Sequence, residues 1–159
     1  MYGIPASPQH QTNARYILSL SFDPCQHSQA LRYQFMRSPD GSSVQKAVYG
    51  KKAGCYFFEK NDTLLVQVYA LCSHDPSISE LPSIDIKQLA LTLNDYVVEM
   101  EMGTHFEGDF YKMYVSKDPY VFKYNPEPWP LKALLNVTID GEPRTFSFDP
   151  EVIVGDGED

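Results

Sequence analysis

Hydrophobic and polar residues alternate with a period of two along most of this chain. In segment 15–22, for example, Tyr16, Leu18, Leu20 and Phe22 fall on one face. Successive side chains of an extended segment point to opposite faces, so the pattern predicts a half-buried β-strand. The same alternation, interrupted by turn residues, recurs to the end of the chain.

The repeated pattern predicts roughly ten to twelve short strands and no helix. The predicted strands cover residues 15–22, 31–36, 44–49, 54–59, 63–72, 84–93, 96–102, 110–115, 120–124, 131–139, 144–148 and 151–154. The run 63–72 is mostly apolar, which is typical of a central strand. Residues 125–130 contain three prolines. Because proline cannot donate to a sheet ladder, we expect an extended, polyproline-like connector there.

Short turn signals between the predicted strands indicate hairpins. Asp140-Gly141 is the strongest of them, and Asn94-Asp95 is a second two-residue signal. A third candidate turn, Gly50-Lys51-Lys52, lies between the predicted strands 44–49 and 54–59.

Many short strands separated by turns are typical of a sandwich or a barrel. We therefore predict an all-β protein, an antiparallel β-sandwich of the immunoglobulin-like type, with a jelly roll or a closed β-barrel as the alternative. The length of 159 residues fits one domain. The expected organisation is a flexible N-terminal arm at 1–14, a single sandwich domain at 15–154 and an acidic C-terminal tail at 155–159.

The dipeptide Asp-Pro recurs in this chain, as Asp23-Pro24, Asp75-Pro76, Asp118-Pro119 and Asp149-Pro150. An aspartate accepts hydrogen bonds from nearby backbone N–H groups, and the proline after it stops ladder pairing. We interpret these pairs as places where the chain leaves a strand.

These pairs, the Pro126-Glu127-Pro128 segment and the closing stretch 148–155 (FDPEVIVG) resemble the small bacterial DP-EP family. The resemblance lies mainly in the last quarter of the chain. It implies a bacterial, β-rich protein, and it carries over no activity and no catalytic residue.

The charge of the chain argues against nucleic acid as a partner. The net charge is −8, with 13 basic and 21 acidic residues. Phosphate binding needs clustered lysines and arginines. The only basic cluster, Lys46, Lys51 and Lys52, surrounds the predicted turn at Gly50, where we expect a solvated hairpin tip.

Cysteine usage and the ends of the chain favour the cytoplasm. The three cysteines have no CxxC spacing, so they do not suggest a disulfide framework. Residues 1–5 do not read as a secretory leader. No run reaches the roughly 18 apolar residues that span a bilayer. We predict a cytoplasmic protein without a membrane partner.

Aromatic residues make up 13% of the chain and crowd residues 110–130. Aromatic side chains with a polar tip are favoured at interfaces. The candidate binding residues are Trp129, Tyr120, Tyr124 and Tyr111. The leading hypothesis is a non-enzymatic protein that forms a homo-oligomer or binds a protein partner. The alternative is a carbohydrate- or small-ligand-binding module that uses exposed aromatic rings.

One segment has residues suited to a divalent metal. If residues 105–109 are extended, then His105, Glu107 and Asp109 share a face, and imidazole with carboxylates suits zinc, iron or manganese. A solvated turn explains the segment as well. A metal-dependent enzyme is therefore the weaker alternative, and without a nucleophile elbow, P-loop or dinucleotide motif we expect no other cofactor and no catalytic residues.

Overall fold

A computed structural model of the chain describes residues 14–38, 40–46, 54–71, 83–91, 96–102 and 110–155. Every helix or strand assigned in these ranges is a β-strand, which confirms the all-β prediction. The strands are β1 (Arg15–Phe22), β2 (Arg32–Ser38), β3 (Tyr56–Glu59), β4 (Thr63–Leu71), β5 (Ile84–Leu91), β6 (Tyr96–Val98), β7 (Met100–Met102), β8 (Phe110–Ser116), β9 (Tyr120–Val121), β10 (Asn125–Pro130), β11 (Ala133–Ile139), β12 (Glu142–Phe148) and β13 (Glu151–Gly155).

The described strands form three sheets. The six-stranded sheet has the order β2-β1-β4-β8-β7, and β9 also pairs with β4. The four-stranded sheet has the order β12-β11-β5-β6, and the three-stranded sheet has the order β10-β13-β3. The strand β4 has neighbours on both sides, as its apolar sequence predicted.

Two of these sheets are mixed, so the prediction of purely antiparallel pairing was wrong. β1 pairs with β4 in parallel, and β13 pairs with β3 in parallel. Period-two burial looks the same in parallel and antiparallel strands. Strand direction therefore could not be read from the alternation.

The three sheets share one hydrophobic core. Its fully buried members include Leu18 and Leu64 from the six-stranded sheet, Leu89 and Leu135 from the four-stranded sheet, and Val152 from the three-stranded sheet. In β1 the residues predicted to face inward are all buried, since Tyr16, Leu18, Leu20 and Phe22 belong to this cluster.

The proline-rich segment is a strand rather than a connector. It forms β10 at the edge of the three-stranded sheet, where Asn125, Trp129 and Pro130 have partners on β13 and the register shifts between them. Proline is tolerated on an edge strand because one side of the strand needs no ladder donors. The predicted strand 44–49 is not a strand in its described part, 44–46. The predicted turn at 50–52 lies outside the described residues.

The predicted strand 96–102 divides between two sheets. β6 belongs to the four-stranded sheet and β7 to the six-stranded sheet, and the chain changes sheets at Glu99. The backbone N–H of Lys117 donates to the Glu99 carbonyl at 2.9 Å and holds this corner. The period-two pattern of 96–102 places Met102 on the same face as Val98, and yet Met102 is 56% exposed whereas Val98 is buried, because β7 is an edge strand of another sheet.

The hairpin predicted at Asp140-Gly141 is confirmed. β11 and β12 pair without interruption on either side of it, and both turn residues have positive φ, 50° and 84°. Positive φ at both central positions is the type I′ geometry that matches strand twist. Asp140 Oδ1 also accepts the Ser83 N–H at 2.8 Å, which fixes the start of β5 beside this turn. β5 also pairs with β6 in antiparallel fashion, and the last described pair is Leu91 with Tyr96, but the turn predicted at Asn94-Asp95 lies outside the described residues.

The described Asp-Pro pairs do not all play one role. Asp23 behaves as predicted, because β1 ends before it and its Oδ1 accepts the Cys25 N–H at 2.8 Å. The chain does not leave the sheet for good at Asp118. β8, before it, pairs with β4, and β9, which begins two residues after it, pairs with β4 again. Asp149 lies between β12 and β13, and Asp75 lies outside the described residues.

Candidate binding surfaces

An apolar row crosses the outer face of the six-stranded sheet. Ile17 on β1 is paired with Met36 on β2 and with Leu65 on β4, so the three side chains point to the same side. Val121 on β9 is opposite Thr63 and is therefore the diagonal neighbour of Leu65. We call Met36, Ile17, Leu65 and Val121 the outer row.

The outer row is exposed and bordered by polar residues. Leu65 and Val121 are 40% and 45% exposed, and Ile17 and Met36 are half-buried. On both sides of the outer row, the neighbouring residues on the same face of the sheet are mostly polar. One row is Ser38, Arg15 and Thr63, and the other is Gln34, Ser19 and Gln67. An apolar patch with a polar border is typical of a protein–protein interface.

The four aromatic residues singled out from the sequence have different environments. Tyr124 is 54% exposed and lies three residues after Val121. Tyr120 and Trp129 are half-buried and pack against the hydrophobic core. Tyr111 lies on β8, and its side chain is outside the described part of the structure. Trp129 belongs to the three-stranded sheet, whereas Tyr120 and Tyr111 belong to the six-stranded sheet.

Much of the aromatic excess joins the sheets to one another. A continuous series of rings, with centroids 4.4–6.2 Å apart, runs through Tyr120, Phe122, Phe58, Phe35, Tyr56, Tyr33 and Phe148. Stacked and edge-to-face pairs add about 0.5–1.5 kcal/mol each to the area that they bury. Most of these rings are therefore used for packing between the sheets.

The series ends at an open groove of about 760 Å³ where the three sheets meet. Its wall consists of segment 29–31, Tyr33, Lys46, the start of β11, the end of β12 and residues 149–151. Leu31, Ala133 and Phe148 form a buried apolar floor. Lys46, Lys132, Asp149 and Glu151 supply charges of both signs at its rim. We call this feature the junction groove.

Hydrogen bonds build one wall of the junction groove from the loop after β1. The Gln26 amide donates to the carbonyls of Ser28 and Ala30 at 2.8 and 2.9 Å. Arg144 Nη2 donates to the Gln26 carbonyl at 3.0 Å. Segment 29–31 then pairs with Ser147, which donates to the Gln29 carbonyl at 2.8 Å. The wall is therefore fixed before any ligand arrives.

Tyr56 does not line the groove but packs against Tyr33, which does, with ring centroids 6.2 Å apart. Burial, followed by a hydrogen bond to Tyr33, raises the pKa of Tyr56 to about 12. Lys46 Nζ lies 5.6 Å from the Tyr56 ring centroid, within range of a cation–π interaction. Burial and the hydrogen bond to Tyr33 both favour the protonated form of the Tyr56 hydroxyl.

The predicted metal ligands His105, Glu107 and Asp109 lie outside the described residues. In the ranges that the structure does describe, no group of three histidine, cysteine or acidic side chains is placed to hold a metal ion. The prediction of a divalent metal at these three residues therefore stays a prediction.

Sequence reasoning missed both surfaces. Ile17 is an apolar residue on the face of segment 15–22 opposite its predicted buried face, and this was the available signal for the outer row, whereas Leu65 lay within a run predicted to be a central strand. The junction groove had no such signal, because its walls come from segments far apart in the chain.

No protein-family model matches the chain, and no curated protein matches it significantly. Among the described residues there is no helix long and apolar enough to cross a membrane.

Proposed function

We propose that this protein is a non-enzymatic binding protein that self-associates through the outer row. The main support for this proposal is that Met36, Ile17 and Leu65 are aligned across three adjacent strands. The exposed side chain of Val121 lies beside them. Burying this row removes apolar surface from water at about 25 cal/mol per Å².

The polar borders support a second copy of the chain as the partner. A straight apolar row with polar rows on both sides is close to self-complementary when a second copy faces it, rotated by 180° about an axis that lies in the plane of the interface. Two-fold interfaces between identical chains have this property, because each residue contacts its counterpart's neighbours. Gln34, Ser19 and Gln67 would then supply hydrogen bonds around the apolar centre.

Light scattering coupled to size-exclusion chromatography tests this proposal. We expect the wild-type protein to form a dimer or larger oligomer as its concentration rises. Leu65→Lys places a charge in the centre of the row and should yield a monomer. Val97→Lys adds the same charge at an apolar residue that is 52% exposed on the four-stranded sheet, outside the outer row, and should leave the association unchanged. A wild-type protein that is monomeric at every concentration contradicts the proposal.

A carbohydrate-binding function is the second candidate, and the exposure of Tyr124 favours it. Its ring leaves 54% of its surface in solvent, and exposed aromatic rings stack on sugars. A glycan array probed with wild-type protein and with Tyr124→Ala distinguishes this candidate. Binding that disappears in the variant supports it, and an array without signal contradicts it.

Three broader assignments belong to the same proposal. We propose an immunoglobulin-like sandwich, which the single core shared by three sheets supports. Membership of the DP-EP family and a cytoplasmic location are also proposals, supported by the C-terminal motifs and by the cysteine usage.

A further inference from the structure

Tyr33 lies on the side of β2 that borders the junction groove, where its backbone N–H and C=O are available for hydrogen bonding. Along β2, Arg37 and Phe35 direct their backbone groups away from β1, since Arg37 N–H donates to the Ser42 carbonyl at 2.8 Å and the Phe35 carbonyl accepts the Val44 N–H at 2.9 Å. Residues two apart on a strand repeat this direction. The N–H and C=O of Tyr33, a residue that lines the groove, therefore also point away from β1.

The described segments on either side of Tyr33 do not pair with it. Residues 45–46, the last ones described before a gap, make no backbone hydrogen bond to β2, and on the other side Leu31 N–H donates to the Ser147 carbonyl at 3.0 Å. Between this bond and the one from Val44 to Phe35, the backbone N–H and C=O of Tyr33 have no hydrogen-bond partner among the described residues. One residue of an extended peptide offers the matching C=O and N–H pair.

The shape and charge of the groove suit the same ligand. Its volume of about 760 Å³ is within the range of ligand sites, roughly 300–1,000 Å³. The buried floor accepts apolar side chains. The rim has Lys46 and Lys132 together with Asp149 and Glu151, so it complements a segment that carries both acidic and basic side chains.

We propose that the junction groove binds an extended peptide segment of a partner protein. The segment pairs with the backbone of Tyr33 as an added strand, and its charged side chains face the rim of opposite charge. This inference is independent of the outer row, which lies on the outer face of the six-stranded sheet.

Selection from a phage-displayed library of random linear peptides tests the proposal. We expect enriched peptides that combine apolar and charged residues. A synthetic copy of an enriched peptide should bind the wild-type protein and lose at least about fivefold in affinity against Glu151→Lys or Lys132→Glu. Glu99→Lys matches the charge change of Glu151→Lys, and Lys117→Glu matches that of Lys132→Glu; both exposed residues lie at the corner outside the groove, and both variants should leave affinity unchanged. Circular dichroism confirms that each variant is folded.

Amide hydrogen exchange followed by NMR measures directly whether the backbone N–H of Tyr33 is hydrogen-bonded. In the free protein the Tyr33 amide should exchange much faster than the bonded Leu31 amide, and the peptide should slow it about tenfold or more. The proposal fails if no peptide is enriched. It also fails if the variants bind equally, if the Tyr33 amide stays fast in the complex, or if a glycan array identifies a sugar that binds in the groove instead.

Discussion

The hydroxyl of Ser116 accepts a hydrogen bond from the backbone N–H of Val66, at 3.0 Å, in the buried interior of the six-stranded sheet. β8 pairs with β4 as far as Gln67, and β9 resumes the ladder at Leu64. Residues 117–119 leave the ladder between these points. The Ser116 side chain thus replaces a backbone acceptor that the interruption removes.

Replacing this serine should destabilise the protein. Ser116→Ala leaves the buried N–H of Val66 without an acceptor, which costs about 1–3 kcal/mol in the free energy of unfolding. Ser19→Ala, on the outer face of β1, is the matched control and should cost less than about 0.5 kcal/mol. Urea denaturation measures both values. Equal effects would show that the hydroxyl is not needed.

The side chain of Asp62, just before β4, forms hydrogen bonds with two other segments of the chain. Its buried carboxylate accepts the N–H groups of Ala14 and Glu59, both at 2.9 Å. Asp62→Ala removes both acceptors and should lower the free energy of unfolding by about 3 kcal/mol, and Asp62→Asn should cost less because one acceptor remains. The exposed Asp40, which accepts the Ser42 N–H at 2.9 Å, provides the comparison. Asp40→Ala should cost under about 1 kcal/mol. If Asp40→Ala lowered the free energy of unfolding as much as Asp62→Ala does, burial of the Asp62 carboxylate would not be the cause of its effect.

Stability should fall in strongly alkaline solution. Burial and the hydrogen bond to Tyr33 raise the pKa of Tyr56 from 10.0 to about 12. A raised pKa in the folded state means that the stabilising contribution is complete below pH 10 and is lost as the pH rises to about 12. Denaturant unfolding across this window should show the decline, and Tyr56→Phe should reduce it. Tyr33→Phe removes the hydrogen bond and should move the decline to lower pH. Identical profiles for all three proteins would refute this assignment.

Trp129 carries a donor that the fold does not use. Its Nε1 is buried and has no hydrogen-bond partner in the described part of the chain. An unsatisfied donor costs about 1–3 kcal/mol, so Trp129→Phe should lose packing but also remove this cost. The net change should stay below about 1 kcal/mol, while Trp129→Ala should cost about 2 kcal/mol or more. Thermal unfolding followed by circular dichroism measures both variants. A Phe variant as unstable as the Ala variant would mean that the indole N–H has a partner.

The alternation of apolar and polar residues predicted the strands most accurately where the strands pair without a bulge. In β1 the predicted bounds and the buried face are both confirmed. In β5 the register against β11 shifts between Asn136 and Val137, leaving one extra residue on β5. Burial therefore changes from Ile84 to Leu89 and Leu91, from even to odd positions. The sequence showed the broken period but not its cause, because a bulge exists only relative to a partner strand.

The candidate surfaces depend on register even more strongly. Val121 and Tyr124 lie in the aromatic region that the sequence singled out, and they are exposed. Ile17 and Leu65 become one surface with Val121 only because β1 lies in parallel beside β4.

The sequence by itself determined that the chain is all-β, where most strands lie, and which side of a regular strand is buried. These properties follow from local side-chain alternation and turn chemistry, which act over a few residues. Only the tertiary structure decided strand direction, the change of sheet at Glu99 and the meeting of three sheets at the junction groove. Those depend on contacts between residues distant in the chain, since any strand with one apolar face can pair with several others until the packing of the whole core selects among them.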